Sequence, residues 1–136
     1  MNTRTSAAEI LDAILDGGSF VSWDSTPIDV APNASYAADL TKAREKSGVD
    51  EAVLTGQGLI DGRVVAVIAC EFSFLAGSIG VAAAERIASA VERATAEKLP
   101  LIASPTSGGT RMQEGTLAFV QMVKIAGAVT LHKQAG

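Results

Sequence analysis

The sequence predicts an α/β fold in which strands are paired in parallel and covered by helices. Four segments carry apolar residues at helical spacing, and short β-rich runs stand between them. In the second half of the chain the order is strand, helix, strand, helix, an alternation typical of layered α/β folds. Each of the last two strands is followed by a turn of small residues.

The composition indicates one globular domain without a basic surface. The 136 residues fit a single domain, and 48% of them are apolar while 19% are charged. The net charge is −4 and the basic residues are scattered, which argues against a nucleic-acid binder. The single cysteine, Cys70, excludes an internal disulfide and a multi-cysteine zinc site, and we expect it to be buried.

The sequence gives no targeting or membrane signal. The N-terminus lacks an apolar signal core. The longest charge-free stretch, residues 72–84, is shorter than the roughly 20 residues that cross a bilayer. A cytoplasmic protein with no membrane partner is therefore expected.

The first helix is predicted to begin after Ser6, which can cap it while Glu9 completes a capping box. The pair Gly17-Gly18 ends this helix. An irregular, proline-containing stretch follows. Its Trp23 is expected to be a core or interface anchor rather than a platform for a ligand.

A second helix and a β-hairpin come next. Ser35 is expected to cap the helix YAADLTKAREKS, which ends at Gly48. Two β-rich runs then flank Asp61-Gly62, a strong signal for a two-residue hairpin turn. The run 64–69 is apolar at every position, as expected for a strand that is covered on both sides.

The remaining elements are a helix, a strand and a helix. The alanine-rich segment SIGVAAAERIASAVERATAEK predicts a long helix whose small residues allow close packing. The segment LPLIAS is predicted to be a short buried strand. A final helix begins at Arg111, and His132 near its end is expected to be a surface residue, favoured there as a cation.

Two turns of similar composition, EFSFLAGSIG and SPTSGGTRMQ, stand between a strand and a helix. Ligands of open α/β sheets bind at such carboxyl ends of strands. Helix starts carry N–H groups without partners and a partial positive charge, and glycine lets another molecule approach them. A phosphate or a developing oxyanion fits such a site. Neither turn has the full phosphate-loop pattern, and a plain structural turn explains the spacing equally well.

The side chains do not form a nucleophilic set, because the one histidine lies far along the chain from both turns. Arg111 stands in the first turn of the final helix, where a cation opposes the helix dipole and needs a partner. That partner is either Glu114 or another carboxylate of the fold, or an anionic ligand. Both alternatives remain open from the sequence.

Two long stretches, CEFSFLAGSIGVAAAERIASAVERA and LPLIASPTSGGTRMQEGTLAFVQMVKIAGAV, resemble the biotin-dependent acyl-CoA carboxyltransferases. Within them the resemblance is to the acetyl-CoA carboxylase carboxyltransferase β subunit, or β-like N-terminal half. The family pattern is F-x-F-x-G-G-S-x-G before a helix, then S-x-G-G-A-R-M-Q-E before a helix with Q-M-x-K. Here Ala76 replaces the first family glycine and Thr110 the usual alanine, both small changes. The resemblance extends from Ser19 to the end.

The resemblance implies a crotonase-like spiral of ββα units, incomplete in this chain. Residues 1–50 would form a helical lead-in, and residues 51–136 the first part of a carboxyltransferase N-terminal domain. The implied reaction moves a carboxyl group from carboxybiotin to the α-carbon of an acyl-CoA such as acetyl-CoA. Such an enzyme stabilises a thioester enolate and needs no nucleophile of its own.

Carried over by motif, the site consists of catalytic backbone donors at Gly108 and Gly109, and of substrate-binding residues at Gly77, Ser78, Gly80, Ser107 and Arg111. The implied cofactor is biotin on a partner carrier protein, with no metal in this chain. The implied partners are an α-type carboxyltransferase domain or subunit, a biotin carboxyl carrier protein and a biotin carboxylase, in a homo- or hetero-oligomer.

The length of the chain leaves two alternatives beside this assignment. One cysteine means that the four-cysteine zinc ribbon of bacterial β subunits is missing, and family β domains continue beyond Gly136. We therefore expect a fragment or an unusually short homologue, inactive in isolation. The alternatives are a biotin-independent malonyl decarboxylase β-type subunit, or a non-catalytic fragment that binds partner chains.

Overall fold

The computed structural model describes residues 6–25, 33–77, 79–104 and 128–134. Their elements, in chain order, are α1 (Ala7–Ile14), β1 (Val21–Ser22), α2 (Ala34–Ser47), β2 (Val53–Ile60), β3 (Arg63–Cys70), a 3-10 turn (Leu75–Gly77), α3 (Val81–Ala96) and β4 (Leu101–Ser104). Residues 128–134 are also helical.

A mixed sheet in the order β1-β2-β3-β4 organises these elements. The pairs β1–β2 and β2–β3 are antiparallel, and β3–β4 is parallel. Asp61 and Gly62 join β2 to β3 with φ values of 50° and 76°, the left-handed conformation that a tight hairpin turn requires. The predicted hairpin and the predicted parallel pairing are both confirmed.

The α1 helix packs on one face of the sheet. Its predicted capping box is present, with Glu9 N donating to Ser6 Oγ at 3.1 Å and Ser6 N donating to Glu9 Oε1 at 3.3 Å. The buried side chains between α1 and the sheet are those of Ala7, Leu11, Leu15, Val65, Val67 and Ala69. Alternate residues of β3 therefore face α1, because side chains alternate along a strand.

The opposite face of the sheet carries α3. The buried side chains there are those of Val53, Ile68, Cys70, Ile79, Ala83, Ala84, Ala90, Val91 and Ala128. Cys70 is buried, as predicted. Trp23 packs against this cluster and donates from Nε1 to Gln57 Oε1 at 3.4 Å, which confirms it as a packing anchor.

The helical residues 128–134 lie on the α3 side through Ala128. His132 is partly buried rather than on the surface, because its Nε2 lies 3.0 Å from the carbonyl oxygen of Leu99, just before β4. Among the helices that the structure describes, none has both the length and the apolar character needed to cross a bilayer.

The stretch predicted to be irregular contributes a strand. In β1, Val21 lies opposite Gln57 and Ser22 lies opposite Gly56. A Cβ atom at Gly56 would collide with the Val21 carbonyl oxygen and lie 2.7 Å from Phe20 Cε1. Because Gly56 has no side chain, β1 can pair closely with β2. The sequence feature that permits β1 is therefore a glycine on the neighbouring strand.

The α2 helix begins two residues earlier than predicted. Its N-cap is Asn33, whose Oδ1 accepts a hydrogen bond from Tyr36 N at 2.8 Å. The prediction of Ser35 as the cap is wrong, because asparagine caps equally well and stands upstream. The end of the helix is as predicted, with Gly48 at a φ of 75°.

The prediction that β4 is buried is also wrong. The side chain of Ile102 is 37% exposed, since β4 is the edge strand of the sheet within the described residues. Its neighbour β3 is buried from Val65 to Cys70. Only Val64 of the apolar run, at 39% exposure, departs from the expected covering on both faces.

Candidate functional site

The strands β3 and β4 end at the same edge of the sheet. In their parallel register Ala69 lies opposite Ser104, and β3 ends one residue later at Cys70. The chain therefore leaves both strands from neighbouring positions, and the two small-residue turns of the sequence start side by side. This edge is where α/β sheets bind ligands, and it is the candidate site.

The structure describes the turn after β3 but not the turn after β4. Two predicted site residues, Gly77 and Gly80, belong to the described part. The others lie outside the described residues: Ser78, Ser107, Gly108, Gly109 and Arg111. The roles of these residues, including the pair of oxyanion donors, stay predictions.

Gly77 ends the 3-10 turn between β3 and α3. Its φ of 68° lies in the left-handed region, which glycine adopts without strain. Its N–H donates to the carbonyl oxygen of Phe74 at 2.9 Å. Gly77 is therefore needed for the path of the chain, and its own amide already has a partner inside the turn.

Gly80 is the N-cap residue of α3. Its carbonyl oxygen accepts a hydrogen bond from Ala84 N at 2.9 Å, which starts the helix. Gly80 itself has no side chain that could cap the helix start. The positive end of the α3 dipole therefore faces the edge where β3 and β4 end, without a side chain of the cap residue in front of it.

Glu71, directly after β3, was not singled out by the sequence analysis. Its side chain is only 4% exposed. Oε1 accepts from Ala7 N at 3.0 Å, and Oε2 accepts from Ser73 N at 3.3 Å and from Ser73 Oγ at 2.8 Å. The available signal was an acidic residue that directly follows an apolar strand and opens a glycine turn.

Phe74 anchors the same turn to α2. Its side chain is fully buried. It belongs to a cluster whose buried members are Tyr36, Leu40, Ala43, Ala52 and Phe74. The turn after β3 is thus held by α1 through a carboxylate and by α2 through an aromatic ring.

Arg86 fixes α3 against the sheet and the segments beside it. Its Nη1 donates to Val53 O at 2.9 Å, and its Nη2 donates to Ser25 O at 2.8 Å and to Asp50 Oδ2 at 2.7 Å. Among the residues that the structure describes, its Nε has no hydrogen-bond partner but lies 3.7 Å from Asp24 Oδ1. The helix that begins at Gly80 is therefore fixed by a buried cation.

The charged surroundings of Arg86 raise its pKa. Burial removes water from the guanidinium and by itself lowers the pKa. The hydrogen bond to Asp50 and the negative charges of Asp24, Asp50 and Glu51 raise it by more, so the net shift is upward from the ordinary value. Arg86 therefore remains a cation.

The edge offers backbone groups more than reactive side chains. Within the described residues, no group of three or more histidine, cysteine, aspartate or glutamate side chains is placed to hold a metal ion. A helix start without a side-chain cap favours an anion or an oxygen that becomes negative during a reaction.

Residues 2–136 match the family model of the carboxyl transferase domain. The chain belongs to the carboxyl transferase family. The resemblance identified from the two glycine motifs is therefore confirmed.

This carboxyl transferase chain has a curated relative in Mycobacterium tuberculosis (strain ATCC 25618 / H37Rv), a probable biotin-dependent acyl-coenzyme A carboxylase beta3 subunit. The two are 65% identical over 133 residues. The match covers 98% of this chain but 27% of the relative, so the chain spans about a quarter of that protein's length.

Two solved structures resemble the carboxyl transferase chain. Transcarboxylase 12S, a hexamer with methylmalonyl-coenzyme A bound, has a TM-score of 0.73 and 27% identity, covering 92% of this chain and 23% of its own. A Pseudomonas malonate decarboxylase hetero-tetramer in complex with malonate has a TM-score of 0.71 and 26% identity, covering 96% and 48%. These similarities confirm the predicted crotonase-like α/β fold, of which the chain forms a part.

Proposed function

We propose that this chain is the acyl-CoA-binding part of a carboxyltransferase that moves a carboxyl group from carboxybiotin to the α-carbon of an acyl-CoA such as acetyl-CoA. The observation that carries the proposal is the shared edge of β3 and β4, where Ala69 lies opposite Ser104. Gly77 and Gly80 give this edge a turn of bare backbone and a helix start without a side-chain cap. The 65% identity to a biotin-dependent acyl-CoA carboxylase β subunit supports the same reaction class.

The proposed roles follow the carry-over from the family motifs. Gly108 and Gly109 would donate their N–H groups to the thioester oxygen as it gains negative charge. The substrate would be bound by Gly77, Ser78, Gly80, Ser107 and Arg111. Because a developing enolate is stabilised by fixed dipoles, the backbone donors at Gly108 and Gly109 would suffice without a side-chain nucleophile.

The proposed partners follow from the same reaction. Carboxybiotin would supply the carboxyl group and would arrive on a biotin carboxyl carrier protein loaded by a biotin carboxylase. An α-type carboxyltransferase domain or subunit would face it, and the assembly would be a cytoplasmic oligomer. The division into a lead-in at residues 1–50 and a domain part at 51–136 belongs to the same proposal.

The test is a glycine substitution in the assembled full-length enzyme. Gly109→Val would obstruct the thioester oxygen, and we expect kcat to fall about 100-fold or more, as when an oxyanion-hole donor is lost. Gly17→Val is the matched control, because a Cβ at Gly17 meets nothing within 4 Å. The measurement is transfer of labelled carboxyl groups from the carboxylated carrier to acetyl-CoA. Activity of the Gly109 variant within a few-fold of wild type would refute the assigned role.

A second candidate function is supported by the malonate decarboxylase neighbour, which has a TM-score of 0.71. In that case the same edge would hold a malonyl thioester that loses carbon dioxide without biotin. Decarboxylation of a malonyl thioester in the absence of any biotinylated carrier would favour this candidate. If calorimetric titration shows binding to partner chains but no affinity for acetyl-CoA, a non-catalytic partner-binding role is favoured over both.

A further inference from the structure

We infer that Glu71 is a positioning residue, which couples α1 to the turn before α3 and thereby sets the affinity for the acyl-CoA. The inference rests on the proposed function, because that function assigns Gly77 and Gly80 to the substrate. Glu71 itself is not proposed to touch the substrate. Its side chain is nearly completely buried between the start of α1 and the end of β3.

The Glu71 carboxylate joins two elements that are distant in the sequence. Oε1 accepts from the N–H of Ala7 at 3.0 Å, in the first turn of α1, where the helix dipole favours a negative charge. Oε2 accepts from both the N–H and the hydroxyl of Ser73, at 3.3 and 2.8 Å. Three donors therefore hold one buried carboxylate, and both of its oxygens are used.

A chain of backbone hydrogen bonds leads from Glu71 to Gly77. The carbonyl oxygen of Glu71 accepts from Phe74 N at 3.2 Å, and the carbonyl oxygen of Phe74 accepts from Gly77 N at 2.9 Å. At the other side, Glu71 N donates to Ala52 O at 2.7 Å. A shift of Glu71 would therefore be passed to Gly77, whose left-handed φ of 68° determines how the chain enters α3.

A carboxylate is required at this position because an amide cannot accept on both sides. In Glu71→Gln one acceptor oxygen becomes an NH2 group. Facing Ala7, this group meets the N–H donor; facing Ser73, it can donate to the hydroxyl but leaves the Ser73 N–H without an acceptor. A buried donor without an acceptor costs about 1–3 kcal/mol, and the turn relieves this cost by moving. The negative charge at the α1 start is lost as well.

Asp16 provides a matched control for this substitution. Its carboxylate also links a segment next to α1 to a turn, with Oδ1 accepting from Asp61 N at 3.1 Å and Oδ2 from Gly62 N at 2.9 Å. That turn lies at the opposite end of β3 from the candidate site. Asp16→Asn therefore makes the same chemical change away from the proposed substrate.

The experiment compares both variants in the assembled full-length enzyme. For Glu71→Gln we expect KM for acetyl-CoA to rise about fivefold or more, with kcat within about twofold, since the loss of a hydrogen-bonded support acts on the binding turn. Hydrogen exchange at the amides of Phe74 and Gly77 should accelerate. Asp16→Asn, whose two hydrogen bonds are exposed, should lower Tm less and leave KM and both exchange rates within about twofold of wild type. Ser73→Ala, which removes one donor, should give smaller changes in the direction of Glu71→Gln.

The outcomes separate the inference from the proposed function. If Glu71→Gln and Ser73→Ala leave KM and the Gly77 exchange rate unchanged, or if Asp16→Asn changes them equally, the inference is overturned. If wild-type enzyme does not use acyl-CoA at all, the proposed function fails. In that case the hydrogen-exchange rate of the Gly77 amide is the only test of the positioning role. An unchanged rate in Glu71→Gln rejects that role.

Discussion

The guanidinium of Arg86 on α3 donates a 2.7 Å hydrogen bond from Nη2 to Oδ2 of Asp50, in the segment before β2. The two side chains differ in exposure, at 6% for Arg86 and 48% for Asp50. Water therefore screens the Asp50 side of the pair, while the bond of Arg86 to Val53 O is buried. Arg86 therefore stabilises the fold through these contacts together.

We expect Arg86→Met to lower the free energy of unfolding by about 3 kcal/mol, as when one partner of a buried ionic network is removed. The substitution leaves Asp24 and two carbonyl oxygens without their cation. Urea unfolding of both proteins is the measurement.

The control is Glu97→Gln, which breaks the exposed ion pair between Arg93 and Glu97. Both side chains of that pair are nearly half exposed, so the expected cost is about 0.5 kcal/mol or less. Arg93 keeps its position over the Trp23 ring, 4.3 Å from the centroid. Equal losses in the free energy of unfolding for the Arg86 and Glu97 variants would contradict the larger contribution predicted for the buried network.

The raised pKa of Arg86 predicts how this difference depends on pH. A group whose folded-state pKa is raised stabilises the fold below its unfolded pKa, and the contribution is lost only as pH rises through the folded value. Even an unperturbed arginine stays protonated throughout the ordinary pH range. The stability difference between wild type and Arg86→Met should therefore stay constant between about pH 7 and pH 10. A steady decline over that range would show that the cation is not the stabilising form.

Gly62→Ala should destabilise the β2–β3 hairpin through its backbone alone. A Cβ at Gly62 meets nothing within 4 Å, but the φ of 76° is left-handed, which costs an alanine about 1–2 kcal/mol. Gly17→Ala is the matched control, because its Cβ also meets nothing and its φ is not left-handed. Thermal unfolding should show a lower Tm for the Gly62 variant and an unchanged or higher Tm for the Gly17 variant.

The loss of stability caused by Gly58→Ala should be partly relieved by a smaller side chain at Leu15, the residue that follows α1. A Cβ at Gly58 would lie 2.5 Å from Leu15 Cδ1 and 2.9 Å from Cδ2, and such overpacking costs about 1–3 kcal/mol. Combined with Leu15→Ala, the loss should be smaller than the sum of the two single losses by about 1 kcal/mol.

The matched control for this rescue is Gly56→Ala, where the Cβ would meet the carbonyl oxygen of Val21 and the Phe20 ring. Leu15→Ala makes no room there, so the two losses should add. Additive losses for Gly58 as well, in a double-mutant cycle followed by urea unfolding, would argue against the described contact.

Much of the fold could be predicted because its signals are local. The Ser6–Glu9 capping box spans three positions, and the Asp61-Gly62 turn depends on two residues that tolerate a left-handed backbone. The strand β1 was missed because its signal is the missing side chain of Gly56, a residue on another strand. Short-range rules do not detect such a cause.

The contacts that support the turn after β3 could not be predicted from the sequence. The glycine motif identified the turn after β3 and its likeness to a family of carboxyltransferases. That the Gly77 amide is already bonded to Phe74 O follows only from the folded turn. The carboxylate of Glu71 accepts a hydrogen bond from Ala7 N, 64 positions away, and no sequence pattern near either residue predicts that contact.

Local sequence patterns predicted α1, α3, the hairpin, the parallel pairing and the family, because each depends on residue types at short fixed spacings. The tertiary structure decided which distant groups satisfy the buried charges: Ala7 and Ser73 for Glu71, and Asp50 with two carbonyl oxygens for Arg86. A buried charge is costly unless it has hydrogen-bonding partners. Those partners must be close in the folded structure, and their separation along the sequence does not affect the energy gained.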